Sequence, residues 1–378
     1  MFQVFVYPPP MLLDLARLRR MDWPLAFAVF ALLAFGLAAI YSVALSRPES
    51  DFLNVKKQLL AAGVGLAAFL FAARGNYRLL RNWSVVAYAA GVLMLGAVLL
   101  FGEDVRGTTG WFDLGTFRFQ PVEYMKFALA VALAAYFSSR ARPRFAVREL
   151  VESGLIAAVP AVLVMLQPDL GSALLLMGLW GAVCLFAGMR ARHLVPILAI
   201  AALVGVVAWQ GLLAPYQKAR ILSFIDPSLD PLGEGYNVAQ AIIAVGSGGL
   251  FGSGLGFGSQ SQLKFLPESQ TDFIFAVIAE ELGFFGVVIV LSAFAVLFVR
   301  LLQLAAASRD DFTSHLLIGF GAMILVQLTV NVGANLGLMP VTGVTLPLVS
   351  YGGSSLLFTL LMLGVAQSVA VHSRRDGA

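Results

Sequence analysis

Ten apolar stretches, each roughly 20 residues long, alternate with short segments that hold most of the charge. No other feature restricts the possible folds of this chain as strongly. A helix of that length rises about 30 Å, the thickness of a bilayer's hydrocarbon core. The stretches fall at about 22–46, 53–73, 83–101, 121–139, 149–166, 169–188, 193–212, 273–299, 313–337 and 349–371. The fifth and sixth nearly touch at Gln167-Pro168-Asp169, where proline predicts a tight break between two helices. Composition excludes a soluble reading: 60% of residues are hydrophobic and 12% charged, against about 45–50% and about 25% in a globular domain. The expected fold is therefore all-α: a polytopic membrane protein with about ten transmembrane helices. A large extracytoplasmic loop, 213–272, joins the seventh and eighth. One membrane domain, 22–372, lies between tails at 1–21 and 373–378.

Charge sets the orientation. Of the 25 Lys and Arg residues, 16 fall on one side of this arrangement and 8 on the other, with Lys126 inside a span. By the positive-inside rule both termini are cytoplasmic, and the 102–120, 213–272 and 338–350 loops are external. The net charge of +4 thus reflects topology and gives no reason to expect nucleic acid. The first 20 residues do not read as a cleavable signal, because prolines break the apolar stretch and the arginines follow it. The one cysteine, Cys184, lies in an apolar run and reads as a small buried side chain. His193, His315 and His372 are far apart at cytoplasmic ends, so neither a Cys/His metal cluster nor an external Ser-His-Asp set can be assembled.

Ionisable and amide residues inside spans are costly and mark function or pairing. Glu123 and Lys126 in F-Q-P-V-E-Y-M-K are three apart on one helical face. They read either as a capped helix start with a snorkelling lysine or as a buried pair facing an external cavity. Asp272 opens the eighth span, where Thr271 or Asp272 could cap the helix or Asp272 could serve as a functional acid. Glu280 and Glu281 lie two turns deeper on different faces, so both cannot share one pocket with Asp272; helix–helix hydrogen bonding suits at least one. Gln327, Asn331 and Asn335 recur every four residues as a polar stripe suited to gluing helices. S-Y-G-G-S-S at 350–355 offers Ser350, Gly352, Gly353 and Ser354 either as an anion-binding backbone nest or as a flexible cap. The glycine-rich run 246–258 lacks the strand–turn–helix context of a dinucleotide site.

The external face thus offers one well-placed carboxylate, an acid–cation pair, and a basic loop region with Arg106, Arg118, Lys218, Arg220 and Lys264. Glycoside hydrolysis usually needs two carboxylates. Transfer of a sugar from a lipid pyrophosphate needs cations for a leaving group that is already stable, and one base for the attacking hydroxyl. The pattern suits that transfer, and equally a passive carrier of an anionic lipid.

The motifs R-G-x-x-x-W (Arg106–Trp111), Q-P-x-E-x-x-K (Gln120–Lys126), Q-P-D-L-G-S (Gln167–Ser172), the long run at 259–283, N-V-G-A-N-L-G-L-M-P-V-T-G (331–343) and L-P-L-V-S-Y-G-G-S-S (346–355) follow one another in order. From Asp22 to Arg375 the chain closely resembles the SEDS (shape, elongation, division, sporulation) family. Q-S-Q-L before F-L-P-E, and P-V-T-G, look like its elongation branch. Gly110 and Val122 depart from the usual arginine and serine of two motifs. The resemblance implies a peptidoglycan glycosyltransferase that polymerises lipid II outside a bacterial cytoplasmic membrane during elongation and rod-shape maintenance, with Asp272 as the essential acid. It implies a class B penicillin-binding protein as the transpeptidase partner, meeting the eighth and ninth spans and the external loops, alongside other elongation-complex proteins. In the mechanism expected from both lines, Asp272 is general base for the GlcNAc 4-hydroxyl of lipid II, attacking a lipid-linked glycan with inversion. Glu123, Lys126, Arg106 and the 350–354 nest bind substrate, with a divalent cation (Mg or Mn) at the pyrophosphate as a further option. A lipid II flippase and a non-catalytic scaffold are the competing classes.

Overall fold

The computed structural model describes residues 21–45, 52–105, 107–113, 115, 117–140, 145–226 and 233–373. Arg106 and both terminal tails lie outside these residues, apart from Met21 and Ser373. Helices occupy every one of the ten expected stretches: α1 (Trp23–Leu45), α2 (Leu53–Arg74), α3 (Leu79–Phe101), α4 (Pro121–Ser138), α5 (Val147–Met165), α6 (Leu170–Phe186), α7 (Leu194–Val207), α11 (Ile274–Ala307), α12 (Asp311–Asn335) and α13 (Gly353–Ser373). Among the described residues, seven helices are long and apolar enough to cross a membrane. The other three are α4 and α5, which carry charge in their first turns, and α6, which has 17 residues. The chain is a multi-pass membrane protein.

Helix α13 is the most enclosed of the seven and packs along α2; α4 is likewise mostly buried and packs on α3 and α12. In lipid, apolar burial gives little net drive for helices to associate, so close packing and interhelical polar contacts must hold them. One such contact ties the ends of α1 and α11. Asp22 is buried, caps α1 by accepting from Leu25 N at 3.1 Å, and takes the Arg300 guanidinium through both carboxylate oxygens.

Two loops carry more structure than their sequences suggest. Between α3 and α4 three short strands form a small antiparallel sheet in the order β1 (Glu103–Val105), β2 (Thr108–Asp113), β3 (Arg118–Phe119). The segment expected as a long loop, 213–272, contains helices α8 (Pro215–Ile225), α9 (Glu234–Ser247) and α10 (Ser259–Gln262).

Its glycine-rich turn is spliced into α11. At Gly283 that helix is interrupted, with φ +64° and ψ −164°, a combination almost confined to glycine. In an unbroken helix the N–H groups of Phe284 and Phe285 would bond the carbonyls of Glu280 and Glu281. Here the turn takes all four groups. Ser253 N and Gly254 N donate to Glu280 O and Glu281 O at 3.0 and 2.9 Å; Phe284 N and Phe285 N donate to Gly249 O and Leu250 O at 2.9 and 3.2 Å. Non-helical backbone at membrane depth must be satisfied within the protein, and this splice satisfies it.

Candidate active site

The break at Gln167–Asp169, the β-sheet segment, the loop before α11 and the loop before α13 surround one open cavity of about 970 Å³. The starts of α4, α6, α11 and α13 all border it, through Glu123, Leu170, Asp272 with Phe273, and Gly353. The helix dipole places partial positive charge at each of these four starts, two of which carry a side-chain cap, from Asp169 on α6 and Asn335 on α11.

Asp272, Glu123 and Lys126, expected as site residues, all line this cavity. Lys126 Nζ donates to Glu123 Oε1 at 2.8 Å, and both side chains are under a tenth exposed. The pair is therefore buried together, which favours the cavity-facing reading over a snorkelling lysine. Pro121 at the first helical position fixes the start of α4 and sets both side chains on its first two turns.

Asp272 lies two residues before Ile274, the first residue of α11, and the cap there comes from another helix. Asn335 Oδ1 accepts from Ala276 N at 3.0 Å. Thr271 Oγ1 instead donates within its own turn, to Glu268 O and Glu268 Oε2.

The S-Y-G-G-S-S turn divides. Gly352, Gly353 and Ser354 line the cavity, whereas Ser350 does not. The Ser350 hydroxyl is buried, donating to Thr271 O at 2.6 Å and accepting from Leu346 N at 2.8 Å. Ser350 was expected to bind substrate; in the structure its hydroxyl is engaged with Thr271 O and Leu346 N, holding the chain beside Asp272. Gly352 N donates to Gln58 Oε1 at 3.2 Å, which removes one N–H from the expected anion nest. Ser354 Oγ donates to Arg118 O and accepts from Gln120 N, joining the start of α13 to that of α4.

Glu280 and Glu281 stand away from the cavity, and both are buried. Glu280 accepts from Gln260 N, Ser261 N and Ser259 Oγ, capping α10. Glu281 accepts from Ser42 Oγ, Ser261 Oγ and Gln262 Nε2, tying α10 to α1. Gln327 is buried in α12; Asn331 and Asn335, one and two turns on, both reach the backbone of Asp272. Arg118 and Arg220 of the basic loops line the cavity, with Arg118 3.7 Å from Asp113 across the β2–β3 pair.

Sequence reasoning passed over Asp169, Glu268 and Lys57 as site residues, and all three line the cavity. Asp169 caps α6 by accepting from Ser172 N at 2.9 Å. Its signal was available: an acid at a helix break on the same side as Asp272. Among the described residues no cluster of three or more Asp, Glu, His or Cys could hold a metal by itself. Asp169 and Glu268 are among the carboxylates lining the cavity, and a magnesium-like ion needs only one or two carboxylates when a substrate's phosphates supply the rest.

The model of the FtsW/RodA/SpoVE cell cycle protein family matches residues 23–375. The chain belongs to this family. Stage V sporulation protein E of Bacillus subtilis (strain 168) is 38% identical over 368 residues, covering 93% of this chain and 98% of that protein. Peptidoglycan glycosyltransferase MrdB of Escherichia coli (strain K12) is 36% identical over 359 residues, covering 94% of each chain. A structure solved in work on the coordination of polymerization and crosslinking by a peptidoglycan synthase complex superimposes with a TM-score of 0.79 at 36% identity, covering 94% of this chain and 99% of that one. In this SEDS protein the Q-P-x-E-x-x-K, Q-P-D-L-G-S and S-Y-G-G-S-S motifs each open a helix at the cavity, and the T-D of 271–272 leads into a fourth.

Proposed function

We propose that the protein is a peptidoglycan glycosyltransferase that polymerises lipid II on the outer face of the bacterial cytoplasmic membrane, in cell elongation. The observation that carries this reading is the meeting of Asp272 with the buried Glu123–Lys126 pair in one open cavity bordered by four helix starts. Family membership and relatives named peptidoglycan glycosyltransferase support it.

The growing lipid-linked glycan is the donor. Its pyrophosphate lies against cations of the cavity, Lys126 first among them, with the helix starts adding partial positive charge. Lipid II is the acceptor. Asp272 takes the proton of its GlcNAc 4-hydroxyl as that oxygen attacks the donor's anomeric carbon; the bond to pyrophosphate breaks, and α becomes β. Magnesium or manganese, if bound, would be held by Asp169 and Glu268 with the phosphates, and would neutralise leaving-group charge. Exposed Leu60 and Val64 of α2 also border the cavity, giving a polyprenyl chain an apolar way in from the membrane.

A class B penicillin-binding protein is the expected partner, supported by the likeness to a chain from a complex that couples polymerization with crosslinking. The polar cavity residues gather at helix starts, whereas a flippase needs a polar track through both leaflets, so the polymerase reading is favoured. The test is glycan-strand formation from purified lipid II by the purified protein, with and without its transpeptidase. Polymer in the complex is expected. Its absence from a folded complex would contradict the proposal.

A further inference from the structure

Three consecutive backbone carbonyls lead into Asp272, and a different group holds each. Gln270 O accepts from Tyr351 N at 2.8 Å. Thr271 O accepts from Ser350 Oγ at 2.6 Å. Asp272 O accepts from both Asn331 Nδ2 and Asn335 Nδ2, each at 2.9 Å. The three side chains are at most 4% exposed.

These donors are fixed in turn. Asn331 Nδ2 also donates to Val344 O at 2.8 Å, and Asn335 Nδ2 to Asn331 O at 2.8 Å. Gln58 of α2 braces the far side, donating to Ser350 O at 3.1 Å and accepting from Gly352 N. Burying amides and hydroxyls is costly unless they are satisfied: every N–H and O–H donor of the Ser350, Asn331 and Asn335 side chains is used, and only Asn331 Oδ1 among their polar atoms lacks a partner. Starting a helix needs far less. One cap does that, and Asn335 Oδ1 supplies it at Ala276 N. The remaining donors act on residues before α11 begins, where their effect is to fix the path of the chain into the Asp272 side chain.

We infer that Ser350, Asn331 and Asn335 form a clamp that aims the Asp272 carboxylate at the acceptor hydroxyl. They are positioning residues: they act through the backbone of Asp272. The inference rests on the reading of Asp272 as the base. A displaced base damages the chemical step while leaving substrate binding largely intact, and a misplacement of about 1 Å costs on the order of 10²-fold.

The test compares wild type, Ser350→Ala, Ser350→Thr and Asn331→Leu, each in complex with the transpeptidase, polymerising purified lipid II. Ser350→Ala should lower kcat about 10- to 100-fold and leave KM within about threefold. Ser350→Thr keeps the hydroxyl and should recover most of the rate. Asn331→Leu, close in volume, probes the clamp from α12 and decides the matter if Ser350→Ala does not fold. Wild-type kcat in the folded variant would overturn the clamp. So would a raised KM at unchanged kcat, which marks direct substrate contact, and so would a loss that follows thermal stability and is not recovered by threonine. Asp272→Asn run alongside separates the two claims. If it is inactive while the clamp variants are normal, the clamp alone fails; if it is active, the reading of Asp272 as base fails first.

Discussion

The Glu123–Lys126 pair shows what one buried contact is asked to do. Removing one partner leaves an uncompensated buried charge, typically costing 3–5 kcal/mol. Glu123→Gln and Lys126→Met should each abolish most polymerisation. The double variant separates two roles. A lysine serving only Glu123 predicts partial recovery when both are neutral; a lysine that also meets pyrophosphate predicts none. Because Lys126 borders the cavity with further donors beyond its 2.8 Å bond, no recovery is expected, and a double variant with restored polymer yield would contradict this role. The pair was legible in the sequence because its members are one helical turn apart. Asn331 and Asn335 were legible only as a polar stripe. Their target, the carbonyl of Asp272, lies 59 and 63 residues away, and no local spacing encodes it. The bond from Ser350 to Thr271 O was not legible for the same reason: its partners are 79 residues apart.

Among the elements, α11 carries most of the tension between regular structure and function. Its sequence reads as one long apolar helix, and hydropathy cannot register the interruption at Gly283 or the glycine-rich turn that fills it. The splice does two things: it satisfies four backbone groups left by the break, and it brings α10 onto Glu280 and Glu281. A side chain at position 283 would need a nearly glycine-only conformation and would collide with the backbone of Leu250 and Gly252. Gly283→Ala should therefore destabilise the protein by at least about 2 kcal/mol. Gly205→Ala, in the open face of α7, should be neutral or stabilising by about 0.5–1 kcal/mol. Thermal unfolding in detergent measures both, and equal stability of the two variants would contradict the splice. The helices were legible because about 20 apolar residues announce a span. The sheet between α3 and α4 was not, since strands of two to six residues carry too short a pattern.

For the whole molecule, the split of 16 against 8 cations predicts, by the positive-inside rule, that the cavity and the 267 region are outside and the turn between α11 and α12 inside. Pro267→Cys should react with an impermeant thiol reagent in intact cells, and Arg309→Cys should not; native Cys184 is buried. Reversed labelling would overturn the orientation and, with it, access to an external substrate. The account as a whole rests on Asp272 acting as a base. Asn335 supplies the cap at Ala276, so Asp272→Asn should keep fold, thermal stability and the complex with the transpeptidase. The deciding measurement is polymer yield from lipid II for wild type and Asp272→Asn in that complex. A loss of roughly 10²- to 10⁴-fold is predicted, and a near-normal yield from the asparagine variant would contradict the mechanism.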